Sequence, residues 1–138
     1  MKFFFDNNLP PTLAYAIREL CKPEKVVEEV IHLKDRFAQN CPDEDWLGSL
    51  AAEEKWVVIS QDRFNKSPVE KQAIKSRGLV VFSLEKAWAS QTYWNKARNL
   101  VHWWPAILDQ STRYQGGAAL GVPWRLSGRG SFRQINIG

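Results

Sequence analysis

The sequence predicts a single α/β domain whose mainly parallel sheet is covered by helices on both faces. Short apolar runs typical of buried strands alternate with segments of helical periodicity. Several of the helical segments begin at residues that favour helix starts, and two of the apolar runs lead into an aspartate. The 138 residues are enough to bury one core and too few for two ordinary domains.

The first half of the chain contains the clearest alternation of strand and helix. Residues 2–5 form an aromatic run typical of a buried strand, and residues 10–21 begin with two prolines and carry apolar residues at helical spacing. Residues 26–33 are rich in β-branched residues, so we predict a second strand there, although two glutamates interrupt it. An acidic helix start in residues 42–51 and an apolar strand at 56–60 follow.

The second half continues the same pattern. The motif Ser67-Pro68-Val69-Glu70 matches a capping box with proline at the first helical position, which predicts a helix over residues 68–76 that stops at Gly78. Residues 79–84 form the next apolar run and predict a buried strand. Residues 85–110 carry a stripe of apolar residues at helical spacing and are predicted to be largely helical.

The end of the chain differs from the rest in composition and charge. All 15 acidic residues lie before residue 110, and four arginines follow it, so the net charge of +4 is concentrated at this end. We therefore divide the chain into a main domain, residues 1–112, and a basic extension rich in Gly and Arg, residues 113–138. The extension predicts either a hairpin over 122–137 around Ser127-Gly128-Arg129-Gly130 or a mobile tail.

Composition excludes several classes of protein. The hydrophobic fraction is 44% and the charged fraction 25%, which is typical of globular domains and not of disordered or fibrous chains. No apolar run approaches the roughly 20 residues that span a bilayer, so we expect no membrane association and a cytoplasmic location. Cys21 and Cys41 are too far apart for a CxxC site and are expected to be free thiols.

Acidic residues stand where an α/β sheet binds ligands. Asp6 and Asp62 follow apolar strands, and Asp43-Glu44-Asp45 opens the helix between those strands in sequence. Ligands of parallel sheets bind at the carboxyl ends of the strands, and a few carboxylates suffice to hold Mg²⁺. The alternatives are structural: first-turn acids stabilise the helix dipole, and Arg63 can pair with Asp62.

Three segments carry a family resemblance. Residues 3–11, 42–47 and 56–64 resemble the three acidic blocks of compact PIN-like proteins related to VapC toxins, and the resemblance covers roughly residues 1–105. It implies a three-layer α/β/α PIN-like fold with a Mg²⁺ or Mn²⁺ site. It also implies RNA endonuclease activity, often restrained by a small antitoxin protein.

The resemblance also assigns the acidic residues. Asp6 and Asp62 match the first and last blocks, and Asp43 is our choice within the middle block, with Asp45 as the next candidate ligand. We thus expect Asp6, Asp43 and Asp62 to be catalytic, and the metal to be held by these three together with Asp45. The sequence departs from longer PIN patterns because Ser83, with Glu85 two residues on, stands where a fourth acid is expected, so the number of metals stays open.

Basic residues suggest where RNA binds. Arg63 and Lys66 are close in sequence to Asp62 and are well placed to meet a scissile phosphate. Arg125, Arg129 and Arg133 accompany Trp124, as on surfaces that bind phosphates. Contact with a second subunit or with an acidic antitoxin is an equal alternative for this basic end.

The leading hypothesis is therefore a metal-dependent endoribonuclease, the toxin of a type II toxin-antitoxin pair, with RNA as substrate, a small antitoxin as partner and a homodimer among the expected assemblies. One alternative is a non-catalytic PIN-like module that binds RNA or protein. Another is a phosphoacceptor receiver domain, with Ser83 after a later strand. Against the receiver domain, the sequence has no convincing fifth strand that ends in lysine.

Overall fold

The computed structural model of the chain describes residues 1–53, 55–114 and 116–138. Strands and helices alternate along these residues, with a short 3₁₀ turn at Leu33–Asp35. In chain order they are β1 (Lys2–Phe5), α1 (Pro11–Leu20), β2 (Glu29–His32), α2 (Asp43–Glu53), β3 (Trp56–Ser60), α3 (Pro68–Arg77), β4 (Val80–Leu84), α4 (Lys86–Ala89), α5 (Tyr93–Ser111), β5 (Ala118–Val122) and β6 (Arg133–Gln134).

The strands of the described residues form one sheet in the order β2-β1-β3-β4-β5-β6. All neighbouring pairs are parallel except β5 and β6, which are antiparallel. The first five strands follow the order 2-1-3-4-5 of doubly wound sheets, in which helices cover both faces. The predicted mainly parallel sheet is therefore confirmed.

The core lies on both faces of this sheet. Because side chains alternate along a strand, Phe3 and Phe5 pack on one face with α1, α4 and α5, while Phe4 packs on the other face with α2 and α3. These two apolar clusters give the three layers of the predicted α/β/α fold, which is confirmed. Cys21 and Cys41 are both free thiols, as predicted. No helix in the described ranges is long and apolar enough to cross a membrane.

The strand predicted over residues 26–33 is shorter in the structure. Only Glu29–His32 is extended, and each of its residues pairs with one of the four residues of β1. Because β1 begins at Lys2 opposite Glu29 and ends at Phe5 opposite His32, the predicted residues before Glu29 and after His32 have no partner in β1. Before this strand, Val26 is exposed and its carbonyl accepts a hydrogen bond from the amino terminus.

The helix predicted over residues 85–110 is divided in two. A short helix, α4, ends at Ala89, and α5 begins at Tyr93. Thr92 provides the N-cap of α5, because its hydroxyl accepts a hydrogen bond from the Asn95 backbone amide at 3.2 Å. The apolar stripe alone does not show that a second helix starts here, whereas the threonine at the N-cap position does.

The C-terminal segment joins the sheet. A hairpin is confirmed, since β5 and β6 are antiparallel, but β5 begins at Ala118 and also pairs in parallel with β4. Gly121 lies in β5 beside Glu85, whose Oε2 atom would be 2.7 Å from a Cβ atom at that position and would have to shift. The division after residue 112 stays a prediction about chain organisation, while the strands on either side of it belong to one sheet.

Candidate functional site

The site is built where β1 and β3 lie side by side. The connection after β1 leads to α1 on one face of the sheet, and the connection after β3 leads to α3 on the other. Such a switch in direction opens a crevice at the carboxyl ends of the two strands, where doubly wound proteins bind ligands. Asp6 and Asp62 follow these two strands, as the sequence predicted.

Asp6 is the most buried acid of the site, with 5% of its surface exposed. Its carboxylate accepts hydrogen bonds from the Ser60 hydroxyl at 2.7 Å and from the Asn7 backbone amide at 2.6 Å. The pKa of Asp6 is raised from 3.8 to about 6, mainly by burial and to a smaller extent by the charges of Asp43 and Asp62, while these hydrogen bonds oppose the rise. Three acids from separate parts of the sequence therefore act on one another at this edge.

Asn8 and Ser60 hold the two strand ends together. The Asn8 amide nitrogen donates to the Ser60 hydroxyl at 3.1 Å and to Asp6 at 3.4 Å, while its oxygen accepts from the Gln61 backbone amide at 3.2 Å. Ser60 also accepts from the Asp62 backbone amide at 2.9 Å. The sequence indicated only a turn at Asn8, so this positioning role was missed.

Asp43 reaches the site from the first turn of α2. The Trp46 indole nitrogen donates to its carboxylate at 3.1 Å, which fixes the direction of the side chain. The pKa of Asp43 is raised, first by burial and then by the charge of Asp62, while the Trp46 hydrogen bond and the charge of Lys66 oppose the rise. Asp43 and Lys66 thus belong to the same charged neighbourhood as Asp62.

The loop after β3 is anchored beneath the site by Phe64. The Asp62 carboxylate accepts from the Phe64 backbone amide at 2.9 Å. Phe64 is fully buried, its ring stands 5.4 Å from that of Trp46, and its φ of 54° lies in the left-handed region that β-carbon-bearing residues avoid. Asp62 and Asp43 are therefore connected through two packed aromatic rings.

Glu70 is the acid that the sequence analysis missed. It lies on the first turn of α3 and is buried, with 7% of its surface exposed. Burial raises its pKa, followed by the charges of Asp62 and Asp43, while hydrogen bonds from Ser67 oppose the rise. The motif that contains Glu70 matched a capping box, and the packing of α3 against α2 was not visible in the sequence.

Two other acids stand apart from this group. Asp45 is exposed on the first turn of α2, and its charge is not among those that raise the pKa of Asp6. Glu85 follows β4 and pairs with Arg133 at 3.4 Å. The acids whose charges act on one another within the described residues are therefore Asp6, Asp43, Asp62 and Glu70.

Basic side chains line the crevice beside Asp62. Arg63 and Lys66 are exposed and border an open pocket of about 290 Å³ together with Asn8 and Asp62. A larger pocket of about 840 Å³ lies near Met1 and Trp56, at the amino ends of the strands and away from the acids. The smaller pocket is the one at the edge where parallel sheets bind ligands.

The remaining predicted basic residues lie beyond the carboxyl end of β5. Arg125 and Arg129 are exposed in the connection to β6, and Arg133 begins β6. Trp124 is packed in this segment, because its ring meets that of Trp88 at 4.8 Å and its carbonyl oxygen accepts from the Trp103 indole at 3.1 Å. This tryptophan therefore has a structural role.

The donor atoms suit a hard divalent cation. Asp6, Asp43 and Asp62 offer carboxylate oxygens, which Mg²⁺ and Mn²⁺ prefer. Within the residues that the structure describes, no three side chains of His, Cys, Asp or Glu already have the spacing of a metal site. Ionised carboxylates that lie close together repel one another, and a bound cation would relieve that repulsion. The carboxylate donors therefore fit the cation in chemistry, and their spacing in this structure is wider than that of a metal site.

The buried carboxyl group predicts an unusual dependence of stability on pH. Because the pKa of Asp6 is about 6 in the folded protein and near 3.8 when exposed, the folded state binds its proton more tightly. The free energy of unfolding should therefore fall as pH rises from about 4 to about 6. The shift corresponds to about 3 kcal/mol.

Asp6→Asn should remove this dependence. In EDTA at pH 7 we expect the variant to be about 2 kcal/mol more stable than the wild type, less than the full shift because asparagine has one acceptor oxygen. At pH 4 the advantage should disappear. Urea denaturation across this range measures the difference, with exposed Asp109→Asn as the control. A variant that is no more stable than the wild type at pH 7 would contradict the interpretation.

Comparison with known families adds one match. A family model described as a PIN like domain matches residues 1–86, which is more than half of the chain and includes Asp6, Asp43, Asp62 and Glu70. No curated protein and no solved structure matches the chain. The match agrees with the resemblance of the three acidic blocks, while the relationship to VapC toxins stays a prediction.

Proposed function

This chain belongs to the PIN-like domain family, and on that premise we propose that it is a metal-dependent endoribonuclease that hydrolyses RNA phosphodiester bonds. One observation carries the proposal: at the carboxyl edge of β1 and β3, the Ser60 hydroxyl bonds the buried Asp6 carboxylate at 2.7 Å and the Asp62 backbone amide at 2.9 Å, so acids that follow two different strands meet there. Perturbed carboxylates gathered in a crevice are typical of functional sites.

The acids at the carboxyl edge of the sheet are the ligands of the cation in this proposal. Asp6, Asp43 and Asp62 hold the cation, with Asp45 as a further candidate ligand. When bound, Mg²⁺ or Mn²⁺ polarises the scissile phosphate and lowers the pKa of a water molecule. Asn8 and Ser60 fix the Asp6 carboxylate through the hydrogen bonds described above.

Basic residues bind the RNA in this proposal. Arg63 and Lys66 border the pocket beside Asp62 and neutralise the phosphate at the cleavage position. Arg125, Arg129 and Arg133 contact more distant phosphates. Since neighbouring strands are about 4.8 Å apart, β6 is roughly 14 Å from β3, which a short stretch of RNA can span.

The biological setting is a further part of the proposal. We place the activity in the cytoplasm, as the toxin of a type II toxin-antitoxin pair that a small antitoxin protein restrains. A homodimer is the assembly that we propose to test first. These statements rest on the resemblance of the acidic blocks to those of VapC-related proteins.

Metal removal tests the enzymatic proposal directly. Purified protein is mixed with a labelled RNA pool of mixed sequence and Mg²⁺ or Mn²⁺, and the products are separated on a gel. We expect internal cleavage that stops in EDTA and returns when Mg²⁺ is added in excess. Cleavage that persists in EDTA, or no cleavage with either metal, would count against the proposal.

A second candidate is a module that binds RNA without cutting it. It is favoured by the spacing of the acids, because no three of them within the described ranges are already placed to hold a metal. This candidate predicts RNA affinity that falls with salt but does not change with Mg²⁺. Filter binding at several salt concentrations, with and without EDTA, separates the two functions.

A further inference from the structure

An exposed aromatic pair stands at the start of α5. Trp94 belongs to the apolar stripe predicted over residues 85–110, yet 72% of its surface is exposed, and Tyr93 beside it is 41% exposed. Their rings meet edge-on at 5.4 Å, with the planes 79° apart. Every other tryptophan of the chain is buried or half-buried. The exposed indole is therefore available to a ligand.

This pair lies at the same end of the sheet as the acids. The hydroxyls of Tyr93 and Thr12 share a hydrogen bond of 2.6 Å, and Thr12 is in the first turn of α1, which follows β1 and Asp6. The six residue steps from Asp6 to Thr12 cannot span more than about 22 Å. The hydrogen bond thus holds the start of α5 beside the start of α1, within reach of the candidate site.

The charge around the pair suits a polyanion. The first turns of α1, α4 and α5 contain no acid, whereas the first turn of α2 contains three. Residues 86–108 contain no Asp or Glu and include Lys86, Lys96 and Arg98. A phosphate chain that leaves the site therefore meets less repulsion over α5 than over α2.

Arg98 adds a phosphate-binding group next to the indole. It follows Trp94 by four residues, and residues at that spacing are neighbours on the surface of a helix. Arg98 is exposed, its guanidinium donates to the Asn95 side chain, and it borders a pocket of about 300 Å³. An exposed ring beside a guanidinium offers a stacking surface to a base and a positive charge to the adjoining phosphate.

We propose that Trp94, supported by Tyr93, stacks on an unpaired base of the RNA substrate, and that Arg98 binds the adjoining phosphate. The inference rests on the proposed function and deepens it, because it makes single-stranded RNA the preferred substrate. Bases within a duplex are stacked on one another, whereas the bases of loops and ends can be splayed out onto an aromatic ring.

RNA binding in EDTA tests the proposal without cleavage. Trp94→Ala should bind a labelled single-stranded RNA of about ten nucleotides roughly 5- to 150-fold more weakly than the wild type, the range for the loss of one stacked base. Trp94→Leu should lose almost as much, because leucine is apolar but has no ring, while Trp94→Phe should retain most of the affinity. Val101→Ala is the matched control, since Val101 is an exposed apolar residue of the same helix and should bind as the wild type does.

Removing the bases instead of the ring gives a complementary measurement. The same RNA with abasic positions keeps its phosphates, and the wild type should bind it more weakly than the intact RNA. Trp94→Ala should show a smaller difference between the two RNAs, and Arg98→Gln should weaken the binding of both alike. A Trp94→Ala variant that distinguishes the two RNAs as strongly as the wild type does would overturn the stacking role.

The outcomes separate this inference from the proposed function. A wild type that binds no RNA overturns both. A wild type that cleaves RNA, together with a Trp94→Ala variant of wild-type affinity, overturns the stacking role alone. Affinity that depends on Trp94 in a protein that cleaves nothing supports the inference and removes the endoribonuclease proposal. If Trp94→Ala instead dissociates a wild-type dimer in sedimentation and keeps its RNA affinity, the pair is a contact between two copies and the inference is wrong.

Discussion

Replacing Asp62 with asparagine should reduce RNA cleavage by more than about 100-fold, beyond the loss that follows when only a supporting residue of a metal site is changed. The asparagine oxygen can still accept the hydrogen bond of the Phe64 backbone amide, so the loop should keep its conformation. The substitution removes one negative charge near Asp43 and Asp6. The rate of cleavage of labelled RNA at saturating Mg²⁺ measures the effect.

Asp109→Asn is the matched control for this substitution. Asp109 is exposed near the end of α5, where it pairs with Arg113 and is not among the acids of the site, so this variant should cleave RNA at the wild-type rate. Induced expression in bacteria adds a cellular measurement, in which wild type should arrest growth and Asp62→Asn should not. An Asp62→Asn variant that cuts RNA as fast as wild type would remove Asp62 from the catalytic group.

Replacing Trp46 with alanine should lower the free energy of unfolding by about 3 to 5 kcal/mol, the range for a large aromatic side chain in a core. Trp46 is fully buried, stacks on Phe4 at 4.9 Å and meets the Phe64 ring edge-on at 5.4 Å. Its loss would leave a cavity beneath the site and release Asp43. Chemical denaturation in EDTA measures the stability change.

Two further tryptophan variants make this result specific. Trp46→Phe retains most of the packing and loses the indole nitrogen, so we expect a loss of about 1 kcal/mol and Mn²⁺ binding about 10-fold weaker. Trp94→Ala is the control, because Trp94 is 72% exposed and its removal should change stability by less than about 0.5 kcal/mol. Equal effects of Trp46→Ala and Trp94→Ala would show that the packing described here is wrong.

Local signals in the sequence predicted most of the elements. Three signals act over only a few residues, and each predicted the correct element. They are the aromatic run before Asp6, the proline pair at the start of α1 and the serine before Pro68. The extent of β2 depends on its four-residue partner, and β5 depends on pairing with β4, so neither boundary could be read from local sequence.

The site was predictable to a similar degree. Aspartates after apolar strands indicated where a ligand would bind, because that rule needs only the strand ends. The position of Glu70 required the contact between α2 and α3, and the bond of Asn8 to Ser60 required β1 and β3 to be neighbours. Such long-range contacts leave no local pattern in a single sequence.

The C-terminal hairpin has a consequence for how the protein is handled. The family match ends at residue 86, two residues after β4, whereas the sheet continues through β5 and β6. A fragment cut at the end of the match would keep the pairing of β4 with β3 but leave the backbone groups on the β5-facing edge of β4 without partners. Open strand edges of that kind recruit other chains, so such a fragment would self-associate, and the full chain is the unit to purify.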